Sequence, residues 1–310
     1  MKLTSTLLFL RNYANLFSAW FFSKKTGILL LVVSVSIFSS AAQEPPSPAP
    51  FEQADNLTDE TTSSINLAFA LADTQSIHYA YSGDTEKPGI LFIHGTPGRW
   101  AAFSSYLAST QLQREFFMVS IDRPQWGEST LSGDQDPTTF ATQADAINLI
   151  FQDYPDKKWI LVGHSLGASI APKVVLKAPD AVAGILLLAG SISPSLGKPR
   201  WYNHVANNMF VKWLVPARLR DSNKEIMPLR KELALLKSEL EGNTFNTDIT
   251  QIQGMKDTLV SPKNTAYVRD NWEDKFNSVT IIELEEEGHF LPWRQPNLIV
   301  EQLRRMTNNN

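Results

Sequence analysis

From residue 75 onward, the chain alternates short, β-branched apolar runs with longer amphipathic segments. The short runs predict strands, and the longer segments, with apolar residues at helical spacing, predict helices. Strands that alternate with helices are typical of parallel βαβ units, so the pattern predicts an α/β fold whose mostly parallel sheet has helices on both faces. The predicted strands cover residues 76–81, 89–93, 117–121, 159–163, 184–188, 249–253 and 279–284, and three of the predicted helices cover residues 137–154, 168–177 and 298–305.

The helix predicted over residues 137–154 has a clear start signal. Asp136 is expected to be its N-cap and Pro137 its first residue, because a proline there removes only an N–H that would have no helical partner. One face of this helix is apolar, which predicts that it packs on the sheet. That face carries Phe140, Ala144, Ile147 and Phe151.

Between residues 191 and 247, the alternation of strands and helices is interrupted. Aromatic side chains cluster first, and a helix with a leucine stripe follows, for which Ser222 and Glu225 predict a capping box. We expect an inserted helical cap over about residues 192–246 that sets substrate choice and adds little to the core. The alternative is an ordinary pair of packing helices, since an apolar stripe by itself indicates only burial. The aromatic residues are Trp201, Tyr202, Phe210 and Trp213, and the stripe is Leu229, Leu233, Leu236 and Leu240.

The N-terminal region resembles an export signal. An apolar run over residues 27–38 follows Lys24 and Lys25, and the small residues 39–42 come next. This pattern predicts a signal peptide over residues 1–42, a proline-rich linker over 43–63 and a folded domain over 64–310, in an exported protein that is periplasmic or secreted. The alternative is an uncleaved membrane anchor through residues 27–42, although the run is shorter than the roughly 20 residues that a spanning helix needs.

Composition narrows the possible partners. The 310 residues are 43% hydrophobic and 19% charged, which is enough to form a full core. The net charge is −4; removing the four basic residues of positions 1–42 from the total of 28 leaves 24 against 32 acidic residues, or −8. We therefore expect neither nucleic acid nor an anionic membrane surface as a partner, and contact with a membrane only if the N-terminal segment is an uncleaved anchor. The absence of cysteine excludes a thiolate nucleophile and disulfides.

The strongest chemical signal is the pentapeptide Gly-His-Ser-Leu-Gly at residues 163–167, between a predicted strand and a predicted helix. A Gly-x-Ser-x-Gly sequence in that position forms a sharp turn that exposes the serine hydroxyl at the carboxyl edge of the sheet. The two glycines remove side chains that would clash in the strained backbone. The pattern therefore predicts Ser165 as a nucleophile.

Four further segments match one family in the same order along the chain. Residues 94–98, His-Gly-Thr-Pro-Gly, resemble the His-Gly-x-Pro-Gly oxyanion loop of α/β hydrolases, and residues 122–129 resemble their Asp-x-x-Gly-x-Gly-x-Ser loop. Residues 254–257 look like the turn that carries the catalytic acid, and residues 288–289 like the histidine loop. The resemblance covers about residues 66–308. It implies an α/β-hydrolase fold with a helical cap and a serine nucleophile.

Chain order selects the partners of the serine, because in this fold the acid and then the histidine follow it. His289 is the only one of the five histidines that lies beyond a late strand, so it is predicted to be the general base. Asp257 follows the predicted strand 249–253 and is predicted to be the acid. Asp248 is its competitor but lies at the start of that strand, and catalysis occurs at the carboxyl ends. The acidic run 285–287 has the character of a solvated edge.

The remaining site predictions are the oxyanion donors and the pocket. The backbone N–H of Leu166 is expected to bind the oxyanion, together with that of Thr96, which the family resemblance implies. Asp122 and Arg123 are expected to make a structural loop contact. No metal or nucleotide motif is present, so no cofactor is expected. Residues expected to contact substrate are His94, Trp100, Trp126, His164, Trp201, Trp213 and Phe290, although His94 and His164 could equally be shaping their loops.

Together these features predict a serine hydrolase of class EC 3.1.1 that cleaves a small acyl ester, thioester or lactone. Three alternatives remain: an aminopeptidase or amidase of the proline iminopeptidase type, a cofactor-free lyase or perhydrolase, and a non-catalytic binding module on the same scaffold. In the iminopeptidases, the sharp turn that carries the nucleophilic serine typically contains Gly-Gly-Ser-Trp-Gly, which this chain lacks. We call the corresponding turn of this chain, residues 163–167, the elbow. Relatives with an aspartate nucleophile, the epoxide hydrolases and haloalkane dehalogenases, are disfavoured because residue 165 is serine.

Overall fold

A computed structural model describes residues 65–308 of the chain. The predicted signal peptide and linker lie outside the described residues. Within them, nine strands form one sheet in the order β1-β2-β4-β3-β6-β7-β8-β9, with β5 paired to β2. The strands are β1 Asn66–Ala72, β2 Gln75–Ser82, β3 Gly89–Ile93, β4 Phe117–Ile121, β5 Thr130–Leu131, β6 Trp159–His164, β7 Val182–Leu188, β8 Phe245–Gly254 and β9 Phe276–Leu284.

The sheet is parallel from β4 to β9 and antiparallel only at the β1–β2 end. This confirms the predicted α/β fold with a mostly parallel sheet. β1 was not predicted from the sequence, because its alternating alanines have a low strand propensity and its leucines and phenylalanine remain exposed. Pairing of β1 along its full length with β2 determines its conformation.

Helices cover both faces of this sheet. They are α1 Ser104–Leu107, α2 Thr110–Glu115, α3 Phe140–Asp153, α4 Leu166–Lys177, α5 Trp201–Ala206, α6 Ala217–Ile226, α7 Leu229–Leu240, α8 Asn264–Trp272, α9 Leu291–Arg294 and α10 Pro296–Asn308. Short 3-10 turns occur at Trp100–Phe103, Pro179–Ala181 and Lys212–Leu214.

Alternate residues of the central strands enter two separate cores. In β3, Leu91 and Ile93 face a core shared with α3, α4, α7 and α8, whereas Ile90 and Phe92 face a core shared with α1 and α10. Because both faces are covered, β3 and β4 are buried along their whole length, and Ser120 is their only polar side chain. Burial on both faces makes the sheet the rigid layer from which the site residues project.

The predicted start of α3 is wrong by three residues. Thr139 is the N-cap, and its side chain accepts a hydrogen bond from the Thr142 N–H. Asp136 instead accepts hydrogen bonds from the backbone and side chain of Thr138, closing a turn ahead of the helix. Asp136 and Thr139 are both residues that can cap a helix, and here Thr139 caps the helix while Asp136 closes the turn before it.

The predicted capping box at Ser222 and Glu225 is also wrong. Both residues lie inside α6, and α7 begins after Pro228. The four predicted stripe leucines of α7 are buried in the main core that also contains α4. The expectation that residues 192–246 add little to the core is therefore wrong for α7. The leucine stripe packs in the core, whereas three of the four aromatic residues ahead of it, Trp201, Phe210 and Trp213, are exposed.

Within residues 65–308, no helix combines the length and the apolar character required to cross a bilayer.

The burial of α7 predicts a large difference between two adjacent leucines. Leu236 is 3% exposed and Leu235 is 48% exposed. Leu236→Ala should lower the free energy of unfolding by about 2–5 kcal/mol, because it leaves a cavity in the core. Leu235→Ala, the matched control on the same helix turn, should change it by less than about 0.5 kcal/mol. Denaturant unfolding of both variants measures the difference, and equal small effects would place α7 outside the core.

Candidate active site

Ser165 lies at the turn between β6 and α4 with φ 55° and ψ −116°. The two flanking glycines are required by close backbone approaches. A Cβ atom on Gly167 would lie 2.1 Å from the Ile93 carbonyl oxygen, and one on Gly163 would lie 2.6 Å from the Ala168 backbone. The Ser165 N–H is bonded to the Leu188 carbonyl at 2.9 Å, which ties the turn to β7. The sequence motif therefore adopts the strand–turn–helix geometry that it predicts.

The side chain at this turn is available to a ligand. Ser165 is half-buried, and its hydroxyl has no hydrogen-bond partner among residues 65–308. Leu166 is the first residue of α4, so its N–H has no acceptor within the helix and is directed towards the helix N-terminus. A hydroxyl and a backbone donor are thus presented side by side at the carboxyl edge of the sheet.

The predicted base and acid are directly bonded. The Nδ1 atom of His289 lies 2.7 Å from Oδ2 of Asp257, and both residues are buried. Oδ1 of Asp257 accepts the backbone N–H groups of Leu259 at 2.8 Å and Val260 at 2.9 Å. Burial raises the pKa of the Asp257 carboxyl, but the hydrogen bond and charge of His289 and the two backbone donors outweigh it and hold the pKa below its usual range. Asp257 is therefore an ionised carboxylate that accepts a hydrogen bond from the Nδ1–H group of His289.

The competing acids are occupied elsewhere. Asp248 is in the early part of β8, at the opposite edge of the sheet, where its Oδ1 accepts hydrogen bonds from Asn277 and Ser278. Glu287 accepts hydrogen bonds from Arg294 and Gln295. Neither carboxylate is bonded to His289, so the chain-order argument for Asp257 agrees with the geometry.

His164 links the histidine loop to the elbow. Its Nε2 atom donates a hydrogen bond to the His289 carbonyl at 3.0 Å, and the two rings are 4.9 Å apart. Trp293 meets the His164 ring edge-on at 5.3 Å. Burial lowers the pKa of His164 to about 3, and the neighbouring His289 adds to the shift. His164 is consequently uncharged near neutral pH, and it ties the His289 backbone to the residue that precedes Ser165.

The loop at residues 94–98 passes directly beside the serine. A Cβ atom on Gly95 would lie 2.9 Å from the Ser165 Cβ. Thr96 follows Gly95, and the Thr96–Pro97 peptide bond is cis. The predicted second oxyanion donor therefore belongs to a segment that contacts the elbow.

His94 is a support of this loop. It is fully buried; its Nε2 accepts the Arg123 backbone N–H at 3.1 Å and its Nδ1 donates to the Gly95 carbonyl at 2.7 Å. Burial, followed by the nearby charge of Arg123, lowers the pKa of His94 well below its ordinary value. The structure thus places His94 inside the loop, where the sequence left open a role in contacting substrate.

Arg123 connects the oxyanion loop to α6. Its guanidinium donates to the carbonyls of His94 at 2.9 Å and Gly95 at 3.0 Å. It also forms two hydrogen bonds with the Glu225 carboxylate, at 2.6 and 3.1 Å, and both side chains are buried. The indole N–H of Trp126 donates to the same carboxylate at 3.1 Å. These bonds agree with the structural role expected for Arg123. Trp126, predicted to line the pocket, instead binds the carboxylate that holds Arg123 in place.

Asp122, the neighbour of Arg123, organises its own loop. It accepts the Trp100 N–H at 2.7 Å and the Glu128 N–H at 3.1 Å, and it pairs with buried His78 at 2.8 Å. Trp100 begins a 3-10 turn and is partly exposed. The bonding of Asp122 agrees with its predicted structural role.

The other predicted pocket residues separate into two groups. Phe290 is partly exposed, and its ring is 5.7 Å from the ring of His289, so it lies next to the predicted base. Trp201 and Trp213 are 53% and 70% exposed, and no contact joins them to the three predicted catalytic side chains in the described part of the chain. In residues 65–308, no group of three or more His, Asp or Glu side chains is arranged to hold a metal ion.

Two supporting residues were not found from the sequence. Gln253 is fully buried and donates to Oδ2 of Asp257 at 3.2 Å. Glu225 was interpreted as part of a helix cap but is the partner of Arg123. The position of Gln253 at the end of a predicted strand, four residues before the predicted acid, was an available signal. No local signal distinguishes Glu225 from the other charged residues around it.

The buried ion pair predicts a strong effect of neutralising Glu225. Glu225→Gln leaves the Arg123 guanidinium buried without its counter-charge, and this should lower the free energy of unfolding by about 3–5 kcal/mol. The exposed pair of Lys224 and Asp221 on the same helix provides the control. Asp221→Asn should cost less than about 1 kcal/mol. Chemical unfolding of both variants tests this, and a Glu225→Gln loss no larger than the control would show that the pair is not desolvated.

The depressed pKa of His164 predicts acid sensitivity. Between pH 6.5 and about 3 the unfolded chain binds a proton that folded His164 excludes, so stability falls as the pH falls through this window. The contribution of this group is up to about 1.4 kcal/mol per pH unit. His164→Gln should make the decline in melting temperature between pH 6.5 and 4 shallower, whereas the same change at exposed His204 should leave it unaltered. Parallel curves for wild type and His164→Gln would contradict the assignment.

Comparisons with known proteins bear on the fold that carries this site. A family model described as alpha/beta hydrolase fold matches residues 88–216. The chain is 25% identical over 111 residues to epoxide hydrolase 4 of Mus musculus, a match that covers 36% of this chain and 30% of that one. It is 29% identical over 127 residues to the mouse sn-1-specific diacylglycerol lipase ABHD11, covering 40% of this chain and 39% of the relative. The chain thus matches well under half the length of either relative.

The solved structure of Cfl2 from Burkholderia cenocepacia superposes with a TM-score of 0.62, over 80% of this chain and 97% of that one. Its sequence identity of 16% restricts that likeness to the fold. The family model includes residues 94–98 and residues 163–167, and the superposition covers 80% of this chain. On both grounds, the chain has the α/β-hydrolase fold.

Proposed function

We propose that this chain is a serine hydrolase that cleaves carboxylic esters, including thioesters or lactones, through an acyl-enzyme on Ser165. The observation that carries the proposal is the buried Asp257–His289 pair, whose loop is bonded through His164 to the residue before the serine. A hydroxyl at a strained turn, a histidine oriented by a carboxylate and an unpaired helix N-terminus together meet the requirements of acyl transfer.

The residues divide the reaction into two half-reactions. His289 takes the Ser165 proton as Oγ attacks the carbonyl carbon, and the tetrahedral oxyanion is held by the N–H groups of Leu166 and Thr96. His289 then gives that proton to the departing alcohol or thiol, leaving an ester between the acyl group and Oγ. Water repeats the sequence: His289 takes a water proton, the hydroxide attacks, and the proton returns to Ser165 as the acid is released.

Asp257 has an electrostatic and orienting role in this scheme. Because Nδ1 of His289 faces Oδ2 at 2.7 Å, the proton on Nδ1 is held there and Nε2 is left as the basic nitrogen. The carboxylate also stabilises the imidazolium that forms in each half-reaction. Gln253 and the backbone donors at Leu259 and Val260 fix the carboxylate so that it cannot rotate away.

The identity of the nucleophile favours ester chemistry among the activities that the relatives' names indicate. One relative is named an epoxide hydrolase and another a diacylglycerol lipase. The serine at residue 165 supports ester cleavage, because the epoxide hydrolases of this fold have an aspartate as the nucleophile. The aromatic rings of Phe290 and Trp293 beside His289 and His164 suit an apolar acyl or alcohol group.

If Ser165, His289 and Asp257 act as one unit, the loss of kcat in a single variant should be close to the loss in a variant that combines the changes. Ser165→Ala and His289→Ala should each lower kcat by on the order of 10⁶-fold, and the double variant should lose little more. Asp257→Asn should be milder, on the order of 10⁴-fold, because serine and histidine remain. Rates of p-nitrophenyl ester hydrolysis across acyl lengths measure these losses, with Asp248→Asn as the matched control that should keep full activity.

Covalent labelling separates this proposal from its alternatives. A fluorophosphonate should label the wild type at Ser165 and fail to label Ser165→Ala. Labelling combined with cleavage of aminoacyl amides, but not of esters, would assign an amidase. Absence of both labelling and turnover in a folded protein would leave a binding module. Full activity of Asp257→Asn with loss in Asp248→Asn would move the acid to the other residue.

A further inference from the structure

A short segment near α5 exposes an unusual share of apolar surface. Six of the eleven large hydrophobic side chains that are exposed within residues 65–308 lie between positions 201 and 214, with exposures from 37% to 75%. We refer to residues 198–220 as the 198–220 surface. The six side chains are Trp201, Val205, Met209, Phe210, Trp213 and Leu214. Clusters of exposed apolar side chains on a protein surface mark sites that bind another protein or a membrane.

The opposite side of the same segment is anchored, so these side chains are held outward. Asn203 on α5 and Asn223 on α6 exchange two hydrogen bonds, at 2.9 and 3.0 Å, and both are buried. Trp201 and Val205 are four residues apart on α5 and therefore share the face away from Asn203. The indole N–H of Trp213 is bonded to the Phe210 carbonyl at 2.9 Å, which joins the two most exposed rings.

The charged side chains of the 198–220 surface are all basic. The chain has no acidic residue between Asp180 and Asp221, although its net charge is −4. None of the five basic residues in this stretch is in an ion pair within residues 65–308. They are Lys198, Arg200, Lys212, Arg218 and Arg220, of which the first four are exposed.

The arrangement matches the chemistry of an anionic lipid surface. Tryptophan and phenylalanine side chains enter the headgroup region, and lysine and arginine beside them attract anionic lipids. The overall acidic charge predicts the opposite, but screening confines electrostatic attraction to about 8 Å, so the local charges decide the contact. We propose that the 198–220 surface docks on the surface of a membrane containing anionic phospholipid.

Two other occupants, a second copy of the chain and residues 1–42, fit the charges less well. In a symmetric dimer, the same patch would meet itself and bring five basic residues of each copy together without acidic partners. The segment of residues 1–42 carries four basic residues and no acidic one, so it would also be repelled. The docking does not depend on the proposed hydrolase activity, because Ser165 and its partners are not part of this surface.

The absence of cysteine from the natural chain allows a site-specific test on the full-length protein. Trp213→Cys and, separately, Phe210→Cys would carry an environment-sensitive fluorophore, and Leu235→Cys on α7, also exposed, would be the matched control. Vesicles of phosphatidylglycerol mixed with phosphatidylcholine should cause a blue shift at positions 213 and 210 and none at 235. Phosphatidylcholine alone, or high salt, should abolish the shift. The same result should be obtained in a Ser165→Ala background.

Removing basic charge should weaken the contact in a graded way. Lys212→Gln and Arg218→Gln should each lower the vesicle partition coefficient about fivefold, because each basic residue near an anionic surface contributes about that factor. Asp221→Asn, which removes no basic charge, should not weaken it.

Four results would overturn the proposal. One is the absence of a shift at both labelled positions with anionic vesicles, and another is an equal shift with neutral vesicles or at position 235, which would indicate insertion through another segment. A shift that rises with protein concentration without lipid would identify a second copy as the occupant. A label already shielded before lipid is added would mean that another part of the chain covers the surface.

Discussion

A φ of 55° at Ser165 lies in a region that residues other than glycine rarely adopt, at a cost on the order of 1–3 kcal/mol. The turn cannot relax because its surroundings are close-packed: the Ser165 N–H is bonded to Leu188 on β7, and Gly167 lies against the Ile93 carbonyl of β3. Three neighbouring strands must therefore be in place before the hydroxyl is presented. The position of the proposed nucleophile is a property of the whole sheet rather than of the pentapeptide.

Two sets of contacts reach this turn from different parts of the sheet. On one side, β8 and the loop after β9 bring Asp257 and His289 together, and His164 binds the His289 carbonyl. On the other side, Arg123 binds the carbonyls of the oxyanion loop. Each set contains a buried polar group that is neutral or paired, which keeps the desolvation penalty low. The rigidity of both sets preorganises the site for charge that would develop only during a reaction.

Residues 198–226 have two chemically different sides. The inner side presents Glu225 to Arg123, so α6 is attached to the oxyanion loop through a buried charge pair. The outer side carries exposed aromatic and basic residues, and no acidic residue occurs among positions 198–220. Helix α6 is hydrogen-bonded to Arg123 through Glu225 and to α5 through Asn223. A ligand on the outer side would therefore contact a segment that is bonded to the support of the proposed site.

By itself, the sequence determined the features that depend on local backbone geometry and chain order. The elbow at Ser165, the late His289, the acid after β8 and the alternation of strands and helices follow from such rules. Only the tertiary structure decided which candidate faces acquired partners. Glu225 lies 102 residues from Arg123, so no local pattern pairs them. The α7 leucines enter the core while Trp213 stays exposed, although both segments offer apolar side chains for burial. Periodicity identifies a face that can be buried, but packing between distant segments decides whether it is buried.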